Sequence, residues 1–562
     1  MTEIKDRLKL LYPDDYEQVN EQIRALTEKW KEACGSKSYP WVNKNDIMLI
    51  TYGDGIKKNG EAPLKTLNDF LREELTGCIT AVHLLPMFPY TSDDGFSVSD
   101  FRRINPELGD WPDIEALGGN FDLMFDAVIN HVSKSIPYFT EYLKGNPEYA
   151  NYFIEADPEK DYSMVTRPRT LPLLTQFEAA KGTVHIWTTF SEDQIDLNYK
   201  EPKVLLEILD ILLFYVSRGA RFIRFDAVGF AWKEEHTTCM HLPQVHELIK
   251  LMRQVLETCV SGCTIITETN VPHKDNISYF GNGYDEAGLV YQFPLPPLTL
   301  YSYLSGSAGE LSAWAASLEP TTASTTYFNF LASHDGIGMR PVEDILDAGQ
   351  KQMMADEVLK RGGQIGYRVL PDGSEVPYEL NINYLDAVAG DEEQVDDMVQ
   401  KFMSSQCVLM SVMGMPAVYY HSLLGSRNCY RDYEESGIKR RINREKLDVG
   451  ELKRELSDPS SLRRKVLDRY RNMMRLRGVQ EAFAPNSPQR VLQLDEHLFA
   501  CLRGTVQNQI LVLINVSKET VAVTTGYPGT DLFTGRSCSS EIEVRPYEYL
   551  WIRCSEPEKR GE

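Results

Sequence analysis

The amino-acid sequence predicts an α/β protein: a (β/α)₈ TIM barrel with inserted small domains and a C-terminal antiparallel β-sandwich domain. From residue 46 onward, short apolar runs alternate with helical stretches. Two long segments interrupt this alternation, and the last part of the chain changes to short alternating strands. Such an order of elements is typical of a barrel that carries insertions. The chain has 562 residues, which exceeds what one hydrophobic core usually organises.

Eight apolar runs supply the predicted barrel strands, and stretches such as 204–219 and 245–259 supply helices between them. The strands are predicted at 46–52, 81–86, 122–130, 221–228, 264–269, 288–293, 326–333 and 416–421. Residues 132–200 and 336–400 are too long to be simple connections. We expect both to leave the C-terminal ends of strands, where barrels build their active sites.

This reading divides the chain into an N-terminal arm, a barrel in three parts, two insertions and a C-terminal domain. An amphipathic helix is predicted at 14–34 within the arm. The divisions are the N-terminal helical arm 1–45, barrel 46–131, inserted domain B 132–200, barrel 201–335, second insertion or acceptor loop 336–400, barrel 401–487 and C-terminal β domain 488–562.

The overall charge and the cysteines restrict the class of protein. The formal net charge of −23 disfavours nucleic acid and anionic membranes as partners. The first residues lack the apolar segment of a signal peptide, and no apolar run reaches the roughly 18 residues of a membrane helix. The ten cysteines are scattered, which favours reduced thiols over disulfides or zinc. We therefore predict a cytoplasmic monomer or homodimer without metal or cofactor.

Acidic residues lie where four predicted strands end. Asp126 ends the third strand, Asp226 the fourth, Glu268 the fifth and Asp335 the seventh. A carboxylate at the end of an apolar strand is unfavourable unless it is paired or used in chemistry. Taken singly, each of these residues fits a structural ion pair equally well. Four of them at one barrel mouth favour a catalytic site.

The segments around these residues resemble a known family. DAVINH, RFIRFDAV, ITETN and LASHD resemble, in order, spacing and strand context, the four sequence blocks of glycoside hydrolase family 13, the α-amylase family. The resemblance implies double displacement with retention, in which Asp226 is the nucleophile, Glu268 the general acid/base and Asp335 the group that stabilises the distorted sugar. It further implies contacts to the nucleophile or the glucose from Arg224, His131 and His334.

SDDGF at 92–96 resembles the segment that closes the glucose pocket in sucrose-phosphorylase-like members of this family. By that resemblance Asp93 binds distant hydroxyls of the glucose, Phe96 covers the ring, and Arg440 pairs with Asp93. A plain turn is the alternative, since Asp and Gly favour turns. A closed pocket implies that the enzyme removes one terminal glucose and does not cut inside polymers.

Two further segments resemble the acceptor loops of the same subfamily. RPRTLPLL at 167–174 would bind phosphate or an anionic acceptor through Arg169, with Arg167 alongside, since arginine donates two hydrogen bonds to oxyanions. A rigid proline-framed surface loop is the alternative. In PYELN at 377–381, the resemblance makes Tyr378 a phosphate ligand.

The chain also departs from sucrose phosphorylases on the acceptor side, where they carry histidine at the position of Asn270 and glutamine at that of Glu379. The segments YELN and ITETNVPHKDN look most like those of glucosylglycerate phosphorylases. The resemblance thus implies a phosphorylase that transfers glucose from a small α-glucoside to inorganic phosphate, giving α-D-glucose 1-phosphate. 2-O-α-D-glucosyl-D-glycerate is the leading donor. Phosphorolysis of glucosylglycerol, sucrose or sucrose 6-phosphate, hydrolysis of α-glucosides, and a catalytically dead binding barrel are the alternatives.

Overall fold

The predicted barrel is present and closed in the computed structural model, which describes residues 2–168, 171–369 and 373–555. Its parallel strands are β1 Met48–Thr51, β2 Ala81–Leu84, β3 Asp122–Ala127, β4 Ala220–Phe225, β5 Thr264–Thr267, β6 Leu289–Tyr291, β7 Thr326–Asn329 and β8 Met415–Tyr419. They follow one another around the barrel in chain order, and β8 pairs with β1. Each strand overlaps one of the eight predicted runs, so the fold class is confirmed.

The barrel strands are buried on both faces, because helices cover the outside and side chains fill the inside. Every residue of β4 and of β8 is buried. The strands are shorter than the predicted runs, since the last residues of each run already turn into the loops at the barrel mouth. After β4, for example, Ala227 has φ 48° and a short helix follows at Val228–Phe230.

The remaining elements surround the barrel or form its attachments. The α-helices are Thr2–Leu11, Tyr16–Cys34, Pro63–Leu75, Trp111–Gly118, Pro137–Leu143, Pro202–Ser217, Pro243–Cys259, His273–Ile277, Leu295–Ser305, Gly309–Ser317, Ala348–Lys360, Tyr384–Ala389, Val395–Ser411, Tyr420–Leu423, Tyr430–Ser436, Val449–Leu456 and Leu462–Gly478. The 3₁₀ turns are Asp93–Gly95, Pro147–Tyr149, Val228–Phe230, Ser278–Phe280, Arg340–Val342, Lys439–Asn443 and Glu481–Phe483. Short strands Ile56–Lys57 and Leu447–Asp448 pair beside the barrel.

The N-terminal arm contains the predicted amphipathic helix, Tyr16–Cys34, and a preceding helix, Thr2–Leu11, that we did not predict. Both pack on the outer helices of the barrel. Arg7 lies 2.6 Å from a carboxylate oxygen of Glu247, and the indole of Trp30 donates a 2.8 Å hydrogen bond to Asp210. The arm therefore packs on the outer wall of the barrel.

Both long segments leave the C-terminal ends of barrel strands and fold over the mouth. Between β3 and β4, strand His131–Ser133 pairs antiparallel with Gln194–Asp196, and Leu174–Ala179 forms a hairpin with Gly182–Trp187. Between β7 and β8, a three-stranded antiparallel sheet contains Ile337–Gly338, Glu375–Asn381 and Gln364–Val369 in that order. These loops supply walls for a cavity above the strands.

The C-terminal part is an antiparallel β domain, as predicted. Its strands are Gln489–Val491, Leu498–Arg503, Ile510–Asn515, Val521–Thr524, Gly529–Asp531, Ser537–Cys538, Glu541–Val544 and Tyr549–Cys554. Six of them form one sheet and two form a second sheet, and buried side chains from both sheets share one core. The buried Trp551 attaches the domain to the barrel by a 2.8 Å hydrogen bond to Ser411. Across the described residues, we find no helix with the length and apolarity needed to span a membrane.

Candidate active site

A cavity of about 680 Å³ opens at the C-terminal ends of the barrel strands. This size suits a small ligand. The cavity brings together nearly all of the predicted site residues: Asp93, Phe96, His131, Arg167, Arg224, Asp226, Glu268, Asn270, His334, Asp335, Tyr378, Glu379 and Arg440. The remaining predicted residue, Arg169, lies outside the described residues.

The nucleophile and the acid/base predicted from the sequence are fixed by the barrel's own hydrogen-bond ladder. Asp226 follows β4 directly, and its amide donates to the carbonyl of Ala127 at 3.1 Å. Glu268 follows β5, and its amide donates to the carbonyl of Phe225 at 3.1 Å. Both carboxylates therefore stand on rigid neighbouring strands, which suits groups that must act on the same atom.

Arg224 connects the two carboxylates. Its guanidinium contacts Asp126, lies 2.8 Å from Asp226 and 3.9 Å from Glu268. Asp126 is opposite Arg224 in the register of β3 and β4, and its second oxygen is 2.7 Å from His83. The chain His83–Asp126–Arg224 is buried, so it holds the guanidinium in one place beneath the two carboxylates.

A strained residue positions Glu268. Ala227 has φ 48°, in the left-handed region that residues other than glycine rarely adopt. In this conformation its backbone N–H donates to Oε2 of Glu268 at 3.1 Å. Strain of this kind is typical of functional sites, where the surrounding structure enforces it. Here it ties Glu268 to the turn that carries Asp226.

The environment of the two carboxyl groups makes both of them harder to ionise than usual. Burial raises the pKa of both Asp226 and Glu268, the nearby carboxylates raise it further, and Arg224 opposes the change. The closer contact of Arg224 with Asp226 favours the ionised form on Asp226 and leaves the proton on Glu268. This is the protonation state that a nucleophile and a general acid require.

We expect the rate of glucosyl-enzyme formation to fall at alkaline pH for substrates with a basic leaving group. The reason is that Glu268 must carry its proton, and its raised pKa extends the active range above the ordinary titration of glutamate. Pre-steady-state rates between pH 5 and 10, measured without phosphate, test this. With α-glucosyl fluoride, whose leaving group needs no proton, the alkaline fall should vanish. An identical fall for both substrates would contradict the assignment.

Asp335 is held by Arg440, and the partners of this arginine differ from those that we predicted. Arg440 lies 2.6 Å from Asp335 and 2.7 Å from Glu379, whereas we predicted that it pairs with Asp93. Asp93 acts on Arg440 as a nearby charge. The neighbouring Asp94 forms two ion pairs that we did not predict, with Arg441 at 2.8 Å and Arg444 at 2.7 Å.

The pairing of Asp335 keeps it ionised. Burial acts to raise its pKa, but Arg440, His334 and Arg444 outweigh burial and hold the pKa below its ordinary value. An ionised carboxylate at this position can accept hydrogen bonds from sugar hydroxyls and stabilise positive charge on the ring. This supports the role that the family resemblance implied.

The turn at 93–96 has an unusual backbone that closes one end of the cavity. Asp93 and Asp94 have φ 53° and 49°, and Gly95 has φ 116°. A side chain at Gly95 would lie 2.9 Å from Pro86, so glycine is required by both conformation and space. The turn delivers Phe96, which stacks on His334 with ring centroids 4.7 Å apart. An aromatic face at this place suits the apolar face of a sugar.

The two predicted histidines are neutral. Burial lowers the pKa of His131 to about 4 and that of His334 to about 3. Nε2 of His131 lies 3.0 Å from the carbonyl oxygen of Phe96 and therefore carries a hydrogen, while Nδ1 accepts from Asn130 at 3.2 Å. Neutral imidazoles can contact sugar hydroxyls without repelling a ring that becomes positively charged.

The opposite half of the cavity contains the predicted acceptor residues. Arg167, Asn270 and Tyr378 line it, and the side-chain oxygen of Asn270 is buried without a hydrogen-bond partner in the described part of the chain. Glu379 also faces this half but is bound through both oxygens to Arg440, at 2.7 and 3.3 Å. The arrangement has room and polar groups for an acceptor beside Asp226 and Glu268.

Sequence reasoning missed several residues that line the same cavity. They lie on loops, 3₁₀ turns and short strands that follow the barrel strands, where no long periodic pattern marks them. They are Phe190, Gln194, Phe230, Met240, Arg340, Tyr367, Arg368, Asn381 and Lys439. Gln194 contacts the carbonyl of Phe96 at 3.0 Å and so supports the glucose end. Arg340 follows the HDGIG segment by two residues. This nearness to a predicted strand end could have indicated Arg340, although no motif that we identified includes it.

Comparison with known proteins identifies the family to which this chain belongs. The model of the α-amylase catalytic domain matches residues 73–337. The chain is 47% identical to a glucosylglycerate phosphorylase of Spirochaeta thermophila, with 98% of each chain covered. The chain belongs to glycoside hydrolase family 13, the α-amylase family. Within this family it is also 47% identical to a glucosylglycerate phosphorylase of Allomeiothermus silvanus, over 95% of this chain and 96% of the relative.

A solved family 13 structure shows the same fold. The sucrose 6F-phosphate phosphorylase of Thermoanaerobacter thermosaccharolyticum superposes with a TM-score of 0.74 at 24% identity, covering 89% of this chain and 98% of that chain. The family model and the two relatives at 47% identity confirm the predicted resemblance to the α-amylase family.

Proposed function

We propose that this protein is a retaining phosphorylase that transfers glucose from 2-O-α-D-glucosyl-D-glycerate to inorganic phosphate, giving α-D-glucose 1-phosphate and D-glycerate. The observation that carries the proposal is the site itself: a nucleophile and an acid/base joined by Arg224, in a cavity whose other half carries arginines. The names of the relatives with 47% identity over nearly the whole chain support the choice of donor.

The reaction proceeds in two displacements. In the first, a carboxylate oxygen of Asp226 attacks the anomeric carbon while Glu268 gives its proton to the departing glycerate oxygen. In the second, Glu268 takes the proton of the incoming hydrogen phosphate, whose oxygen displaces Asp226 from the anomeric carbon. Two inversions restore the α configuration. Asp335 stabilises the positive charge that develops on the ring in both steps.

The bound state of Glu379 favours an anionic acceptor. A free carboxylate there would repel glycerate and suit neutral glycerol. Both oxygens of Glu379 are instead held by Arg440, at 2.7 and 3.3 Å, so the protein itself offsets part of its charge. The residue can then orient the acceptor or the neighbouring arginine without opposing a second negative charge.

We propose further that the acceptor half is built by the inserted domain 132–200 and the insertion 336–400, which carry Arg167 and Tyr378. The products and the ten cysteines, all present as free thiols, fit a cytoplasmic enzyme. We also propose that the protein is a monomer or homodimer and that its only partners are the glucoside and phosphate.

Incubation with α-D-glucose 1-phosphate and an acceptor panel tests the proposed function. Phosphate release should be fastest with D-glycerate and at least about tenfold slower, in kcat/KM, with glycerol or fructose, since an unpaired buried charge penalises a neutral acceptor. The product should be identified as the α-linked glucosylglycerate by NMR. Glycerol or fructose exceeding glycerate would refute the donor while keeping the phosphorylase class. Glucose release at equal rates with and without phosphate would instead indicate a hydrolase.

A further inference from the structure

The cationic side chains that line the cavity fall into two groups. In the described part of the chain, four of the six have partners within the protein. Arg224 binds Asp126 and Asp226, Arg440 binds Asp335 and Glu379, Arg368 lies 2.9 Å from Glu343, and Lys439 donates to the carbonyl of Ile365 at 2.7 Å. Three of these cations are therefore paired with carboxylates before any ligand binds, and the ammonium of Lys439 has a carbonyl partner.

The other two are Arg167 and Arg340, for which the described residues provide no ion pair and no hydrogen bond to the guanidinium. Nε of Arg167 is buried without a partner, and burial lowers the pKa of this residue. An uncompensated guanidinium in a partly enclosed cavity is unfavourable unless a ligand supplies the opposite charge. These two arginines therefore indicate where an anionic ligand binds in the cavity.

The backbone fixes Arg340 on the acceptor side. Strand Ile337–Gly338 pairs with the strand that carries Tyr378, and the amide of Met339 donates to the carbonyl of Tyr378 at 2.9 Å. On its other side, a Cβ at Gly338 would come within 3.1 Å of Asn270. The backbone before Arg340 is thus fixed beside Tyr378 and Asn270, and the Arg340 side chain is available to bind a ligand.

We infer that Arg340, together with Arg167, binds the carboxylate of the acceptor. Arg340 thereby determines the preference for an anionic over a neutral acceptor. This inference rests on the proposed function. A guanidinium offers two parallel N–H donors to a carboxylate, and the same fork suits phosphate. Glycerate leaves and phosphate enters the same space, so one pair of arginines serves an anion in both displacements.

The test uses α-glucosyl fluoride as donor, so that no phosphate enters the assay, and compares D-glycerate with D-glyceramide, its neutral analogue of the same shape. The variant is Arg340→Gln. We expect its kcat/KM for D-glycerate to fall about ten- to hundredfold, the loss of one charge-assisted hydrogen bond. The value for D-glyceramide should change less than about threefold. Arg340→Lys should recover part of the loss, because the charge returns without the fork.

Arg368→Gln is the matched control, since Arg368 lines the same cavity but is compensated by Glu343. It should leave the ratio of the two acceptors unchanged. Fluoride release without acceptor, and the thermal unfolding midpoint, show that each variant is folded and forms the glucosyl-enzyme. An Arg340→Gln variant that equals the wild type, or that loses both acceptors equally, would overturn the role of Arg340. A wild type that transfers to glycerol but not to D-glycerate would instead overturn the proposed function.

Discussion

Asp226→Asn is expected to lower turnover of every glucoside by at least about 10⁴-fold, which is of the order seen when a catalytic nucleophile is removed. The asparagine amide has the same shape as the carboxylate but cannot form the glucosyl ester. Arg224 keeps its contact with Asp126, so the base of the site should persist. Intact-mass analysis after mixing with α-glucosyl fluoride should show one added glucosyl group on the wild type and none on the variant.

A suitable control for this variant is Asp122→Asn. Asp122 begins β3 at the opposite end of the barrel and pairs with Arg221 at 2.7 Å, so this carboxylate lies far from the cavity. Its loss should alter the thermal midpoint but not the rate of glucosyl transfer. Comparable turnover by Asp226→Asn and the wild type, or a glucosyl group on another residue, would contradict the assignment of the nucleophile.

Glu268→Gln is expected to lower turnover of a natural glucoside by about 10²- to 10⁴-fold, the usual contribution of a general acid. Formation of the glucosyl-enzyme from α-glucosyl fluoride should decline far less, because fluoride leaves without protonation. The second step should be slow with phosphate but recover with azide, an anionic nucleophile that needs no general base. The azide product should be the α-anomer, since Asp226 still mediates a double displacement.

Fluoride release, phosphate release and product NMR on the same enzyme preparation measure these expectations. Equal losses for the fluoride and the natural glucoside would show that Glu268 does not act as the acid. A β-glucosyl azide would show direct displacement without a covalent intermediate, which would contradict the role of Asp226 as well.

Much of the catalytic end could be predicted from sequence because it depends on local rules. An apolar run followed directly by a charged residue places that residue at a strand end, and a barrel gathers all strand ends at one mouth. Asp226, Glu268 and Asp335 follow this rule and line one cavity. The amphipathic helix Tyr16–Cys34 was likewise visible in the spacing of its apolar residues.

The ion pairs around the cavity followed the sequence less well, because they join loops that meet only in the folded chain. Adjacent residues in the segment KRRINR form different ion pairs: Arg440 binds Asp335, whereas Arg441 and Arg444 bind Asp94. No periodicity decides which arginine meets which carboxylate. Asp94, which binds these two arginines, lies beside Asp93 in a turn where both residues have a positive φ.

The sequence by itself determined the barrel, the order of its strands and the carboxylates at their ends, because strand periodicity and hydrophobic burial act locally along the chain. Only the tertiary structure decided which charges are compensated. Arg440 pairs with Glu379 from 61 positions away in the chain, and Arg340 is left without a partner beside Tyr378 in the part of the protein that the structure describes. Charge compensation acts through space, over a few ångströms, and a linear pattern carries no record of it.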